Sequence, residues 1–139
     1  MTAPDARPGA AAPRLLLVDD TEDLRVLLAR VLQRLGARTE TAVHGQDALD
    51  RVAEAEAAGR PFDAMLLDMQ MPVLDGYDAA RALRARGSTL LVVAMTAHCS
   101  AEEIARCRAA GCDRHLAKPF NPELLRLLVE ELRARMPTP

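Results

Sequence analysis

Polar residues that can handle metal ions and phosphate groups end or follow four short apolar runs of this sequence. Asp19 and Asp20 follow "LLLV", Asp68 ends "AMLLD", Thr96 ends "VVAMT" and Lys118 ends "HLAK". An unpaired charge buried in a core is costly, so a carboxylate such as that of Asp68 needs a cation, a hydrogen-bond network or a chemical task. The pattern therefore predicts a chemical site at the margin of the core.

These residue types together favour phosphoryl chemistry. Three carboxylates at one site repel one another and would not all ionise unless a cation joined them, and oxygen ligands with open positions favour Mg²⁺. Thr96 offers a hydroxyl group and Lys118 a compact positive charge for phosphoryl oxygens. Lys118 is the only lysine among 18 basic residues, which indicates a position where a rigid guanidinium group would not serve.

A parallel sheet would bring these residues to one edge. The continuous apolar runs "RLLLVD", "AMLLD" and "TLLVVAM" are typical of strands covered on both faces, whereas "RTETA" (38–42) and "RHLAK" (114–118) suit edge strands. Five strands alternating with five helices predict an α/β fold, a doubly wound parallel sheet of flavodoxin-like (βα)5 type with strand order 2-1-3-4-5. The ligand site of such a sheet lies beyond the carboxyl ends of strands 1 and 3.

The helix after the first strand is predicted from one apolar stripe. Gly36 stands where this helix would end. The stripe consists of Leu24, Leu27, Leu28, Val31, Leu32 and Leu35.

Capping residues predict the last two helices. Ser100 with Glu103 predicts a capping box at the start of the fourth helix, which would end before Gly111. Ile104 is the only large aliphatic residue of that helix, so we expect it to be loosely held and able to shift. "NP" at residues 121–122 predicts the cap and first turn of the last helix.

Length and composition predict one domain that does not bind nucleic acid directly. The chain has 139 residues, a net charge of -2 and only three aromatic residues, so it offers neither a basic surplus nor stacking platforms. No apolar stretch approaches the roughly 20 residues of a membrane span, and the start lacks signal-peptide features, so we expect a cytoplasmic protein. Residues 1–13 are predicted to be a flexible leader, 14–135 the domain and 136–139 a tail.

The cysteines are predicted to be reduced thiols. Cys99, Cys107 and Cys112 are odd in number and lack C-x-x-C spacing. A zinc site with His98 and His115 is an alternative, but the spacings match no usual ligand pair.

The ordered segments "LLLVDD", "AMLLDMQMPVLDG", "VVAMTAH" and "HLAKPF" resemble the receiver domain of two-component response regulators over residues 14–135. The resemblance implies that Asp68 accepts a phosphoryl group from a sensor histidine kinase or a histidine phosphotransfer protein. It implies that Asp20, Asp68 and the Gln70 backbone carbonyl bind Mg²⁺ while Asp19 orients a metal-bound water. Thr96 and Lys118 would hold phosphoryl oxygens.

The resemblance also implies a cis peptide bond between Lys118 and Pro119. A downstream protein would contact the face formed by the fourth helix, the fifth strand and the fifth helix. The segment "MTAHCSAEEIARCRAAGCDRHLAKPF" is closer to receivers of hybrid sensor kinases, and the chain ends without an output domain. The context is therefore a stand-alone receiver or a module of a hybrid kinase.

Three positions vary within the family or depart from its pattern. His115 stands where receivers usually carry a tyrosine or phenylalanine that moves inward with Thr96 on activation, so we expect a switch weakened at low pH or a histidine without that role. Gln70 and His98 border the path of an attacking water and are expected to set phosphoryl lifetime.

Two other functions are alternatives to the hypothesis of a phosphoacceptor. A magnesium phosphohydrolase of the haloacid-dehalogenase type also uses a strand-end aspartate, but it needs a second acid where Gln70 stands. A docking module that is never phosphorylated would have lost Asp20, Asp68 or Lys118, and all are present. The expectation is a signalling domain that is not an enzyme beyond self-phosphorylation and autodephosphorylation.

Overall fold

The computed structural model describes residues 12–71, 74–118 and 120–136, in which strands and helices alternate as predicted. The predicted leader and tail fall almost wholly outside these residues, and so does Pro119 with its predicted cis bond. The strands are β1 (Arg14–Val18), β2 (Arg38–Ala42), β3 (Ala64–Asp68), β4 (Leu91–Thr96) and β5 (Arg114–Ala117). The helices are α1 (Glu22–Arg34), α2 (Gly45–Ala57), α3 (Gly76–Ala85), α4 (Ala101–Ala110) and α5 (Pro122–Arg135).

The five strands form one parallel sheet in the order β2-β1-β3-β4-β5, which confirms the predicted topology. From β1 the chain passes to β2 on one side and later to β3 on the other, so the strand order reverses between β1 and β3. Val18 pairs with Leu67; Asp19 directly follows β1, and Asp68 is the last residue of β3. The register alone therefore brings both aspartates to the predicted edge.

Two hydrophobic clusters cover the two faces of the sheet. Successive side chains of a strand point to opposite faces, so Leu16 and Met65 join one cluster while Leu17 and Leu66 join the other. Helices α2, α3 and α4 cover the first cluster, and α1 and α5 cover the second. All five residues of β3 are buried, which explains its continuous apolar sequence.

Helix α1 buries a narrower stripe than the sequence predicts. Leu28 and Leu32 are buried, but Leu27 is 58% exposed. Successive residues of an α-helix are rotated by about 100°, so Leu27 turns away from the sheet when Leu28 faces it. The helix ends as predicted, because Gly36 follows its C-cap with a φ of 98° that favours glycine.

The predicted capping residues of α4 and α5 begin these helices. Ser100 Oγ accepts a hydrogen bond from the Glu103 N–H at 3.1 Å, and Asn121 Oδ1 accepts one from the Glu123 N–H at 2.9 Å. The second half of the predicted box is not formed, because the Glu103 carboxylate accepts the Tyr77 hydroxyl instead of the Ser100 N–H. No helix in the described ranges is long and apolar enough to span a bilayer.

Candidate functional site

Three aspartates meet at the carboxyl edge of the sheet, as the sequence predicts. Asp19 and Asp68 are 0% and 3% exposed, while the Asp20 side chain is exposed. One carboxylate oxygen from each residue lies within 4.8 Å of the others. Such a set of hard oxygen ligands, open to solvent through Asp20, suits a divalent cation that keeps part of its hydration shell.

Two groups partly compensate the negative charge of Asp68. Its Oδ1 accepts a hydrogen bond from the Gln70 N–H at 3.0 Å and lies 3.3 Å from Lys118 Nζ. Burial nevertheless raises the pKa of Asp68 above its usual value; the Asp19 carboxylate adds to the rise, and the Gln70 N–H and Lys118 oppose it. Without a further cation, ionised Asp68 is therefore unfavourably placed.

The Asp19 carboxylate is only half satisfied. Its Oδ1 accepts a hydrogen bond from the Thr21 N–H at 2.8 Å, while the buried Oδ2 has no hydrogen-bond partner and lies 3.8 Å from Lys118 Nζ. Leaving a buried carboxylate oxygen without a partner is costly. A cation bound between the aspartates, or a water bound to that cation, would remove the cost, so these residues fit Mg²⁺.

Lys118 and Thr96 are held side by side by the sheet. The Lys118 N–H donates to the Thr96 carbonyl at 2.8 Å, which continues the pairing of β4 with β5 beyond Ala117. The Lys118 side chain then reaches both Asp68 and Asp19, and it is 25% exposed. A single flexible ammonium group thus faces the two buried carboxylates.

The Thr96 hydroxyl is buried and engaged by the loop after β4. Its Oγ1 donates to the His98 carbonyl and accepts from the His98 N–H, both at 3.1 Å. Thr96 is only 2% exposed. The Thr96 hydroxyl proton is therefore already engaged by the His98 carbonyl.

Two glycines hold the segment after Asp68 close to the rest of the fold. A Cβ atom at Gly76 would lie 2.6 Å from the Asp68 carbonyl oxygen, and one at Gly45 would lie 2.5 Å from the Leu74 carbonyl oxygen. Contacts this short exclude any side chain unless the backbone moves. Reasoning from chemistry-bearing side chains missed both glycines, although Gly76 lies within the quoted segment "AMLLDMQMPVLDG".

His115 lies apart from the three aspartates. It is the second residue of β5, its side chain is exposed, and its Cα partner on β4 is Ala94. Gln70 is exposed in the loop after Asp68. The switch role of His115 and the metal contact of the Gln70 carbonyl stay predictions.

The cysteines do not form a second metal centre in the part of the chain that the structure describes. Cys99, Cys107 and Cys112 are free thiols, and the three aspartates are the only group with metal-binding geometry within the described ranges. The Cys107 and Cys112 thiols are buried, which raises the pKa of Cys107 to about 11 and that of Cys112 to about 12.

Comparisons with known proteins agree with this geometry. The family model described as the response regulator receiver domain matches residues 15–130. Transcriptional regulatory protein PrrA of Mycobacterium tuberculosis is 40% identical over 112 residues, covering 81% of this chain and 46% of the relative. Response regulator MprA of Mycobacterium avium is 41% identical over 123 residues, covering 88% of this chain and 49% of that relative. The chain thus spans about half the length of these curated relatives.

Solved structures show the same fold. The chemotaxis protein CheY4 of Vibrio cholerae has a TM-score of 0.76 and 31% identity, covering 88% of this chain and 99% of that one. The receiver domain of sensor histidine kinase PA1611 from Pseudomonas aeruginosa has a TM-score of 0.74 and 32% identity, covering 89% and 99%. That structure is described as having a magnesium ion coordinated in the active site cleft.

Proposed function

The chain belongs to the response regulator receiver domain family, which acts in two-component signalling by phosphorylation, and we propose that Asp68 is its phosphoacceptor. The observation that carries this proposal is the position of Asp68. It ends a central strand, lies 3.3 Å from the only lysine, and shares its edge with two further carboxylates. No other described aspartate combines these features.

In the proposed reaction a carboxylate oxygen of Asp68 attacks the phosphorus of a phosphohistidine. The new bond joins that oxygen to phosphorus, and the P–N bond breaks with its electron pair going to the imidazole of the donor. The product is an acyl phosphate on Asp68 and a free histidine on the donor. Burial raises the pKa of Asp68, and a cation beside the three aspartates would favour the ionised carboxylate that attacks.

Asp19, Asp20 and Asp68, with the Gln70 backbone carbonyl, would hold Mg²⁺, Asp19 acting through a metal-bound water. When bound, the ion supplies positive charge that offsets the charge on the phosphoryl oxygens. Support for this ligand set is the half-satisfied Asp19 carboxylate beside the two other acids.

Lys118 and Thr96 are proposed to contact the phosphoryl oxygens. The Lys118 ammonium group already lies beside Asp68, so it can neutralise charge as the acyl phosphate forms. Thr96 would donate its hydroxyl after exchanging its His98 partner for a phosphoryl oxygen. That exchange couples phosphorylation to the loop leading into α4, and it supplies a signal to partners.

The proposed partners are proteins. A sensor histidine kinase or a histidine phosphotransfer protein donates the phosphoryl group, and a downstream protein reads the face formed by α4, β5 and α5. The domain itself would not contact nucleic acid, since the chain has no basic surplus. Free thiols are usual in reducing compartments, which supports a cytoplasmic location.

The unit that performs this reaction is proposed to be residues 14–135. It would not be an enzyme beyond taking a phosphoryl group from a donor and losing it again by hydrolysis. Gln70 occupies the place of the second acid that a haloacid-dehalogenase phosphohydrolase would need.

The experiment is intact-mass spectrometry after incubation with a small phosphodonor such as acetyl phosphate. The parent should gain one phosphoryl group with Mg²⁺ and none with EDTA, and Asp68→Asn should gain none in either condition. Asp63→Asn serves as a matched control, because Asp63 directly precedes β3 at the end opposite Asp68 and its carboxylate accepts a hydrogen bond from the Arg14 N–H. Equal labelling of Asp68→Asn and the parent would refute the assignment.

A further inference from the structure

Every polar atom of Asp19 except Oδ2 has a hydrogen-bond partner. The Asp19 N–H donates to the Ala42 carbonyl at 3.2 Å, and Oδ1 accepts from the Thr21 N–H at 2.8 Å. The Asp19 carbonyl oxygen accepts from Arg25 Nη1 at 2.9 Å. The residue is therefore fixed on three sides, and the free Oδ2 faces Lys118 at the site.

Asp20 lacks comparable side-chain contacts. Its side chain is exposed, and its carboxylate has no hydrogen bond to any other described residue. What the fold fixes for Asp20 is therefore the backbone position from which its side chain projects. The peptide group between Asp19 and Asp20 includes the carbonyl oxygen to which Arg25 donates.

We propose that Arg25 is a positioning residue that fixes this peptide group so that the Asp19 and Asp20 carboxylates converge on one cation. The inference rests on the proposed function, since it assigns a role in building the Mg²⁺ site. Arg25 is suited to it because α1 is anchored to the core by Leu28 and Leu32, and the Arg25 N–H bonds to the Thr21 carbonyl in the first turn. The guanidinium group thus connects a fixed helix to the turn that carries the acids.

The charge of Arg25 and its positioning role have opposite effects on cation binding. As a positive charge near three carboxylates, Arg25 repels a divalent cation, so its removal alone would tighten Mg²⁺ binding. As a fixed donor, it holds a ligand pair in place, and loss of such an outer partner typically weakens metal binding 10- to 100-fold. The sign of the change therefore separates the two roles.

The test is a calorimetric titration of the metal-free protein with Mg²⁺ alone. Arg25→Met keeps the aliphatic part of the side chain and should weaken binding about tenfold. Arg25→Lys keeps a donor and should lie between this variant and the parent. Arg30→Met removes an exposed arginine from the same helix and should stay within about twofold of the parent.

Hydrogen exchange in the metal-free protein gives a second readout that does not depend on the ion. Arg25→Met should speed exchange of the Thr21 amide, which bonds to Asp19 Oδ1, while the Leu17 amide in the buried strand stays protected. Protection of Leu17 also shows that the variant is folded. If Arg25→Met does not fold, the comparison of Arg25→Lys with the parent decides.

Mg²⁺ binding by Arg25→Met that is as tight as, or tighter than, that of the parent would overturn the inference and leave the proposed function intact. Absence of Mg²⁺ binding by the parent would overturn both. Weaker binding by Arg25→Met with unchanged binding by Arg30→Met supports the positioning role.

Discussion

Asp68 is buried, although the phosphoacceptor role proposed for it requires a charged carboxylate. Its carboxylate is 3% exposed, and its pKa is raised chiefly by burial, with Asp19 acting in the same direction. The Gln70 N–H and Lys118 compensate only in part. The role proposed for Asp68 therefore implies a cost in stability in the metal-free state, as is common at active sites.

Replacing Asp68 by Asn should stabilise the metal-free protein at neutral pH, by about 0.5–2 kcal/mol, the usual size of such gains. A folded-state pKa above the unfolded value means that Asp68 contributes most stability at low pH and loses this contribution as pH rises through the folded pKa. The advantage of Asp68→Asn should therefore shrink on acidification. Urea unfolding in EDTA at pH 7 and pH 5 measures it.

Asp50→Asn is the control for this comparison. Asp50 is exposed on α2, so its replacement should change stability by less than about 0.5 kcal/mol at either pH. A variant Asp68→Asn that is less stable than the parent at pH 7, or equally advantaged at both pH values, would contradict the argument.

Lys118→Arg should weaken binding of the phosphoryl mimic beryllofluoride about tenfold although the charge is kept. The Lys118 Nζ reaches Asp68 and Asp19 as a point charge, and the larger planar guanidinium group would displace the oxygens it should contact. Hydrogen bonds to charged groups are worth about 1.5–3 kcal/mol, which sets this magnitude. Amide chemical-shift changes during a beryllofluoride titration report it, with Mg²⁺ kept saturating. Full response at the parent's concentration would show that the lysine is interchangeable.

Helix α4 is held to α3 by polar contacts that compensate for its thin apolar stripe. Only Cys107 and Ala110 of this helix are buried. The Tyr77 hydroxyl donates to the Glu103 carboxylate, and the Arg106 guanidinium carbon lies 3.9 Å from the centre of the Tyr77 ring. Burial, together with the hydrogen bond to Glu103, raises the pKa of Tyr77. These two contacts join α4 to α3 where the apolar stripe is thin, and the mobility expected for α4 stays a prediction.

Glu103→Gln should loosen α4 without unfolding the domain. A hydrogen bond to a charged group is replaced by a weaker neutral one, so we expect a loss of about 1 kcal/mol and faster hydrogen exchange across residues 104–110. Glu102→Gln removes the same charge from the same helical turn, where the side chain is exposed. If both variants exchange at the same rate, the Tyr77 contact does not hold the helix.

Hydrophobic periodicity and turn residues predicted the helices and strands well. They did not predict the contacts between these elements. The edge strand "RTETA" and the helix ends at Gly36 and Gly111 follow from local chemistry, which the sequence states directly. The exposure of Leu27 depends on which face of α1 packs on the sheet, and the partner of Glu103 depends on where Tyr77 lies on the preceding helix, α3. Neither arrangement is encoded in a local sequence pattern.

Both hydrophobic clusters draw on the three central strands β1, β3 and β4, so the domain should unfold as one unit. A ligand that binds only the folded state adds stability by mass action, about 2.7 kcal/mol at a concentration 100 times its dissociation constant. Mg²⁺ should therefore raise the melting temperature in proportion to the logarithm of its concentration, in a single transition. Asp20→Asn should reduce this response, because Asp20 is a predicted Mg²⁺ ligand. Its side chain is exposed, so the replacement should not disturb the core.

Calorimetric scans in EDTA and in rising Mg²⁺ concentrations measure both effects. Two separate transitions would contradict the shared core. An Asp20→Asn protein that gains as much from Mg²⁺ as the parent would remove Asp20 from the site.

At the level of the whole chain, the order of the motifs predicted the convergence of the site. Asp19, Asp68, Thr96 and Lys118 are spread over 100 residues of sequence, and a parallel sheet with known strand order brings all four strand ends to one edge. The orientation of the side chains at that edge could not be predicted from the order of the motifs. The Thr96 bond to His98 and the Arg25 bond to Asp19 depend on loop conformations that only the structure shows.

Locating the modified residue tests the proposal that Asp68 carries the phosphoryl group. Borohydride reduction converts an aspartyl phosphate into homoserine, which tandem mass spectrometry of peptides places in the sequence. After treatment with a phosphodonor and Mg²⁺, the parent should carry homoserine at position 68 and at no other aspartate. Homoserine at position 19 or 20, or no homoserine in protein that binds Mg²⁺, would contradict the assignment of Asp68 as the phosphoacceptor.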